Sequence, residues 1–135
     1  MPPRRVLFLC TGNSCRSQMA EAIVNARFPD WEAFSAGVRP AGFVHPMAIQ
    51  VLQELEIEQR GRSKSVEEFQ NQAFDLVVTV CDDANEECPA WLGKGSRKHV
   101  SFRDPAKAGG TEDERFELFR SVRDLIASAL PRILE

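Results

Sequence analysis

The feature that most restricts this chain comes near its start, where Val6-Leu7-Phe8-Leu9-Cys10, five apolar residues in a row, give way at once to Thr11-Gly12-Asn13-Ser14. A continuous apolar run this short, bounded by turn residues, reads as a strand buried on both faces, the pattern of a parallel sheet covered by helices. From Ser17 to Phe28 the residues Met19, Ala20, Ile23, Val24 and Phe28 recur at helical spacing, and Pro29-Asp30 closes the segment. Trp31 to Ala36, ended by Gly37, reads as a second strand, and Pro46 to Leu55 as a second helix with Met47, Ile49, Val51, Leu52 and Leu55 inward. Phe74 to Cys81 is the strongest strand signal, β-branched and apolar, and it too ends in a cysteine. A last short strand is expected near Lys98 to Phe102. Thr111-Glu112-Asp113-Glu114 has capping-box spacing and opens a final helix with the stripe Phe116, Phe119, Val122, Ile126 and Leu130. This alternation predicts a three-layer, doubly wound α/β domain around a four-stranded parallel sheet, with residues 1–135 forming a single domain.

Charge and hydropathy narrow the partners. Seventeen Lys plus Arg against 20 Asp plus Glu leaves a net charge of −3, so no overall basic field exists to hold nucleic acid. The apolar run after Arg4-Arg5 falls short of a signal peptide's ~7–15-residue core. Nothing approaches the ~18 consecutive apolar residues of a membrane span. A cytoplasmic monomer is expected. Four cysteines in such a chain argue for thiol chemistry or metal binding rather than a disulfide framework. Zinc is disfavoured, because Cys10-x4-Cys15 and Cys81-x6-Cys88 lack knuckle spacing.

In open α/β sheets, ligands bind at the C-terminal strand edge where the strand order reverses. Three segments bring reactive residues there: Cys10, Cys81 and Asp104. Between the first strand and helix, Cys10-Thr11-Gly12-Asn13-Ser14-Cys15-Arg16-Ser17 places a thiol, five residues, an arginine and a hydroxyl. Such a loop can turn the N–H groups of Thr11 to Arg16 inward as an anion cradle at a helix N-terminus, with Gly12 permitting the turn. A tetrahedral oxyanion fits it: Arg16 grips two oxygens, Ser17 donates to the sulfur, and the same field favours the Cys10 thiolate. His45 and His99 read as structural or surface residues.

This segment, with Gln18-Met19-Ala20-Glu21 after it, resembles the thioredoxin-coupled arsenate reductases, which share the fold and anion loop of the low-molecular-weight protein tyrosine phosphatases. The resemblance extends through Ser35-Ala36-Gly37, His45-Pro46, Leu76 to Cys81, Cys88-Pro89 and Asp104-Pro105-Ala106. It implies that Cys10 is the nucleophile, Arg16 the oxyanion ligand, Ser17 the thiolate stabiliser and Asp104 the general acid. Arsenate would be the substrate, with phosphate or sulfate as analogues, and thioredoxin the reductant. Reduction to arsenite takes two electrons, which a dithiol supplies by becoming a disulfide. Strands ~4.8 Å apart would bring Cys81 within disulfide reach of Cys10 if the two are neighbours. The family's relay then passes the disulfide to Cys81–Cys88, carried outward through the polar segment Asp82 to Glu87. Cys15 has no assigned step.

No tightly bound cofactor is expected. Family members hold a potassium ion through residues matching Asn13, Glu21 and Ser35 plus a later carboxylate, whereas this chain reads Arg60-Gly61-Arg62-Ser63-Lys64-Ser65 there. The alternatives are a tyrosine phosphatase of the same fold and a non-enzymatic oxyanion or redox sensor. Phosphatases of this fold flank the acid with aromatic residues, but this chain has no Tyr and follows Asp104 with Pro105-Ala106, which suits a small inorganic substrate.

Overall fold

The computed structural model describes residues 2–81 and 96–135. Four parallel strands form one sheet among them: β1 (Arg4–Cys10), β2 (Trp31–Gly37), β3 (Leu76–Thr79) and β4 (Ser96–His99), in the order β2-β1-β3-β4. Helices α1 (Arg16–Arg27), α2 (Pro46–Gln53) and α3 (Glu112–Ile133) pack on one another, and α1 also lies against β1 and β2. This is the expected α/β sheet, and the strand order explains the apolar run: β1 is central, and Val6 to Leu9 have no exposed surface.

Local chemistry accounts for the helix ends. His45 caps α2, its Nδ1 accepting from the Met47 N–H at 3.1 Å, with Pro46 at the first turn, where a missing N–H does no harm. Thr111 and Glu114 form the reciprocal capping box at the start of α3. On α3 the buried stripe is Phe119, Val122, Ile126 and Leu130, extended by Ile133, while Phe116 is only partly buried.

Two strands and one helix face differ from the sequence reading. The ladder of β3 covers Leu76–Thr79 rather than Phe74 to Cys81, and β4 is Ser96–His99 rather than Lys98 to Phe102. The register, Leu76 opposite Ser96 and Thr79 opposite His99, sets both limits, although Val100 and Phe102 still donate to Thr79 O and Val80 O. In α2 the buried residues are Ala48, Val51 and Leu52, with Ile49 turned partly outward. Among the described residues, no helix is long and apolar enough to cross a membrane.

The sheet order fixes where reactive residues can meet. β1 sends its crossover to β2 on one side and pairs with β3 on the other, so the loops after β1 and β3 diverge from adjacent strand ends.

Candidate active site

The loop after β1 is held by its carbonyls. Six consecutive ones point outward and are tied: Cys10 O accepts from Val38 N, Thr11 O from Arg39 N, Gly12 O from Ala41 N, Ser14 O from His45 N and Cys15 O from Met19 N. Asn13 O completes the set, accepting from Gln18 Nε2 at 3.2 Å. In a trans peptide the next N–H points opposite to its carbonyl, so the N–H groups of Thr11 through Arg16 turn inward. Apart from Asn13, whose N–H donates to Cys10 Sγ, these residues line a cavity of about 250 Å³ whose wall also includes Cys10, Asp104, Ala106 and Lys107. The α1 N-terminus adds its dipole to this ring of N–H groups, an arrangement that favours negative charge.

One expectation about the turn is corrected. The left-handed residue is Asn13, at φ 51°, and not Gly12. Asparagine tolerates that region better than most residues because its short side chain bonds locally, and a Cβ on Gly12 would meet only ordinary contact with Ala41 at 3.6 Å. The glycine the loop does require is Gly37, where a Cβ would stand 2.6 Å from Thr11 O. The end of β2 can approach the loop only without a side chain.

Cys10 is 2% exposed at the floor of the cradle. Its sulfur lies 3.1 Å from the Asn13 N–H donor and 2.8 Å from Ser17 Oγ. Asn13 Nδ2 donates to that same Oγ at 2.8 Å, which leaves the Ser17 hydroxyl proton free to point at the sulfur. Two donors therefore converge on the thiol. Behind them, Asn13 Oδ1 accepts from Gln18 Nε2 and from Lys64 N, both at 3.0 Å, and Gln18 Oε1 accepts from Gln59 Nε2 at 2.9 Å. Asn13, Ser17 and Gln18 have no exposed surface.

Arg16 and Asp104 close the cavity from the other side. Arg16 Nη1 donates to Phe102 O at 3.1 Å, and Nη2 stands 3.5 Å from Asp104 Oδ2. Asp104 divides its oxygens: Oδ1 caps the following 3₁₀ turn by accepting from Ala106 N at 3.0 Å, while Oδ2 faces Arg16. The aspartate is a turn cap and a cavity carboxylate together. Cys81 follows the end of β3, 5% exposed, with its sulfur 3.2 Å from Thr11 Oγ1. Strand adjacency thus brings a second buried thiol against the first loop. Cys10, Cys15 and Cys81 are all free of disulfides. Burial pushes the Cys15 thiol up to about 12, which keeps it protonated beside the loop. Cys88 and the segment Asp82 to Glu87 lie outside the described residues.

His45 serves the loop structurally, donating its backbone N–H to Ser14 O at 3.0 Å while its ring lies 4.7 Å from that of Phe119. His99 Nδ1 pairs with Thr79 Oγ1 at 2.8 Å, across the β3–β4 ladder. Sequence reasoning missed Gln18 and Lys64 as parts of the site. The signal for Gln18 was a polar residue on the apolar stripe of α1; for Lys64 no local signal existed.

The residues expected to hold potassium do not suit a resident metal cation. Both lone pairs of Asn13 Oδ1 are taken by N–H donors. Glu21 Oε1 faces the Lys64 ammonium at 4.0 Å. Ser35 Oγ is buried beside Glu21. Among the described residues, no cluster of three or more His, Cys, Asp or Glu is placed to hold a metal.

A cysteine set in an inward-turned N–H cradle at the switch point of a parallel sheet, with an arginine and an aspartate over it, defines a class of thiol-dependent α/β proteins. The chain belongs to the low molecular weight phosphotyrosine protein phosphatase family, which it matches over residues 5–135. It is 41% identical over 137 residues to an arsenate reductase of Halalkalibacterium halodurans, covering 100% of this chain and 98% of that one. Among solved structures it is similar to an arsenate reductase in its phosphate-binding state, at TM-score 0.79 and 27% identity over 96% of this chain and 95% of that chain. A low molecular weight protein tyrosine phosphatase from T. tengcongensis superposes equally well, at TM-score 0.80 and 27% identity, with 97% of each chain covered.

Proposed function

We propose that this protein reduces arsenate to arsenite with a thiol relay. The observation that carries the reading is the second thiol: Cys81 touches Thr11 of the loop that holds Cys10. A phosphatase needs one cysteine, since water can hydrolyse its phosphocysteine, whereas reducing arsenic from the +5 to the +3 state needs an electron pair. Arsenate takes the cradle, its oxygens held by the inward N–H groups and Arg16. The Cys10 thiolate attacks arsenic, forming an S–As bond, and an oxygen leaves as water with a proton from Asp104. The Cys81 thiolate then attacks the Cys10 sulfur. An S–S bond forms, the S–As bond breaks with its electron pair going to arsenic, and arsenite departs. Two thiols have been oxidised and one arsenic reduced. Attack by the Cys88 thiolate on Cys81 frees Cys10, and a dithiol protein of the thioredoxin class reduces the Cys81–Cys88 disulfide.

The cavity supports a small substrate. Among its described lining residues there is no aromatic ring to sandwich a phenyl group, and beyond the loop and Asp104 the walls are Ala41, Ala106 and Lys107. Hydrolysis of aryl phosphates is then a weak side activity of the same cysteine. The deciding experiment measures arsenate-dependent NADPH oxidation with thioredoxin and thioredoxin reductase, beside hydrolysis of p-nitrophenyl phosphate. Arsenate turnover that stops in Cys81→Ser, with the phosphatase side activity retained, is the expected result. Aryl phosphate turnover far above arsenate turnover, unchanged in Cys81→Ser, would make the protein a phosphatase instead.

A further inference from the structure

Behind the cradle, residues 59–65 close over the first turns of α1. Lys64 is pinned there by its backbone, its N–H donating to Asn13 Oδ1 at 3.0 Å and its carbonyl accepting from Gly37 N at 2.8 Å. Its side chain runs inward, so that Nζ stands 4.0 Å from Glu21 Oε1 and 3.0 Å from Arg62 O, with the Phe69 ring centroid at 5.9 Å. The two side chains are 11% and 13% exposed. Gly61 shows how tightly this space is filled: a Cβ there would stand 2.5 Å from Glu21 Oε2 and 2.6 Å from Gln18 Oε1.

Glu21 alone would be a liability. Burial raises the pKa of its carboxyl, opposed chiefly by Lys64; burial lowers that of Lys64, opposed chiefly by Glu21. A buried unpaired carboxylate costs free energy by losing its water, and behind an anion cradle it would also repel the ligand. Each partner's charge thus opposes the other's burial shift, and as an ion pair the two present no net charge to the loop.

We propose that Lys64 is the resident cation of the oxyanion loop, a positioning residue whose tethered ammonium balances Glu21 behind Asn13, so that the loop holds its anion without a free monovalent cation. This rests on the loop being an oxyanion site but not on arsenate being the substrate. Its covalent tether makes the charge independent of the ionic composition around the protein.

The test uses inorganic phosphate as the probe, with its affinity measured by calorimetry and stability by thermal melting, in potassium chloride and in choline chloride at equal ionic strength. The wild type should give the same phosphate Kd and the same Tm in both salts. Lys64→Met keeps the aliphatic stem and removes the charge; an uncompensated unit charge behind the loop should weaken phosphate binding by on the order of tenfold in choline chloride. Potassium should recover part of that loss, and Lys64→Arg should retain most of the affinity. Pairing Lys64→Met with Glu21→Gln removes both charges and should return phosphate affinity toward wild type with no response to potassium. A wild type whose phosphate binding strengthens several-fold when choline is exchanged for potassium overturns the proposal, even if Lys64→Met does not fold. So does Lys64→Met with wild-type affinity, or a double variant no better than the single one. A wild type that binds no phosphate in either salt removes the loop assignment itself, and this inference with it.

Discussion

Two polar networks, one between α2 and α3 and one behind the loop after β1, differ in what water does to them. Between α2 and α3, Glu54 accepts from Arg120 Nε at 3.0 Å and from Arg123 Nη1 at 2.9 Å, and Arg120 also pairs with Glu117. Glu54 and Arg120 keep 40% and 35% of their side-chain surface, so solvent screens the attraction although the geometry is good. Behind the loop, Asn13, Ser17 and Gln18 are fully buried and each polar atom is answered by a partner. With no water to substitute for a lost partner, deleting one member leaves the others unsatisfied. Good geometry is common to both networks, and burial decides which of them matters.

That contrast can be broken or sharpened by substitution. The largest effect should come from Cys10→Ser, which removes the attacking thiolate and should reduce arsenate turnover to background in the coupled assay; persisting turnover would remove Cys10 from the mechanism. Asp104→Asn should slow turnover by ~10²–10⁴-fold while phosphate binding changes little. Lost binding with intact chemistry would leave Asp104 only its capping role.

Asn13→Ala puts a residue without a local hydrogen-bonding amide at φ 51°, strands the Gln18 Nε2 and Lys64 N–H donors and takes away the donor to Ser17 Oγ. Urea unfolding should register a loss of roughly 3–5 kcal/mol, unaffected by added salt. Cys15 supplies a pH test of the same buried region. Its folded pKa, about 12, lies above the ordinary thiol value of 9.0. Below pH 9 both states hold the proton; as pH rises from 9 toward 12 the unfolded chain alone releases it. Stability should therefore fall by up to ~1.4 kcal/mol per pH unit in that window. Cys15→Ala should flatten the slope, and an unchanged slope would mean that the thiol is not buried as described.

The smallest effect belongs to the exposed network. Arg120→Ala should lower stability only slightly at neutral pH, and less still in high salt. Glu54 has its pKa lowered mainly by the Arg120 hydrogen bonds. The stabilisation is thus present above the carboxylate's ordinary range and lost as pH falls below that range through the lowered folded-state pKa, so wild type and variant should converge in acid. Arsenate turnover should not change.

Much of this protein is legible from its sequence, and the reason is locality. The apolar run of β1, the helical spacing of α1 and the capping box at Thr111 each depend on residues within a turn or two, as do the thiol, arginine and hydroxyl of the loop. What pattern cannot supply is the meeting of distant segments. Asn13 rather than Gly12 takes the left-handed turn because partners from residues 18 and 64 hold its amide. Cys81 reaches the loop only because β3 pairs with β1 in a register set across the sheet. Lys64 finds Glu21 because Gly37 and Asn13 pin its backbone from two other elements. Local sequence determined the elements and the reacting groups. Tertiary structure decided which buried charge each group would face, since burial and pairing are properties of the assembled fold and of no single segment within it.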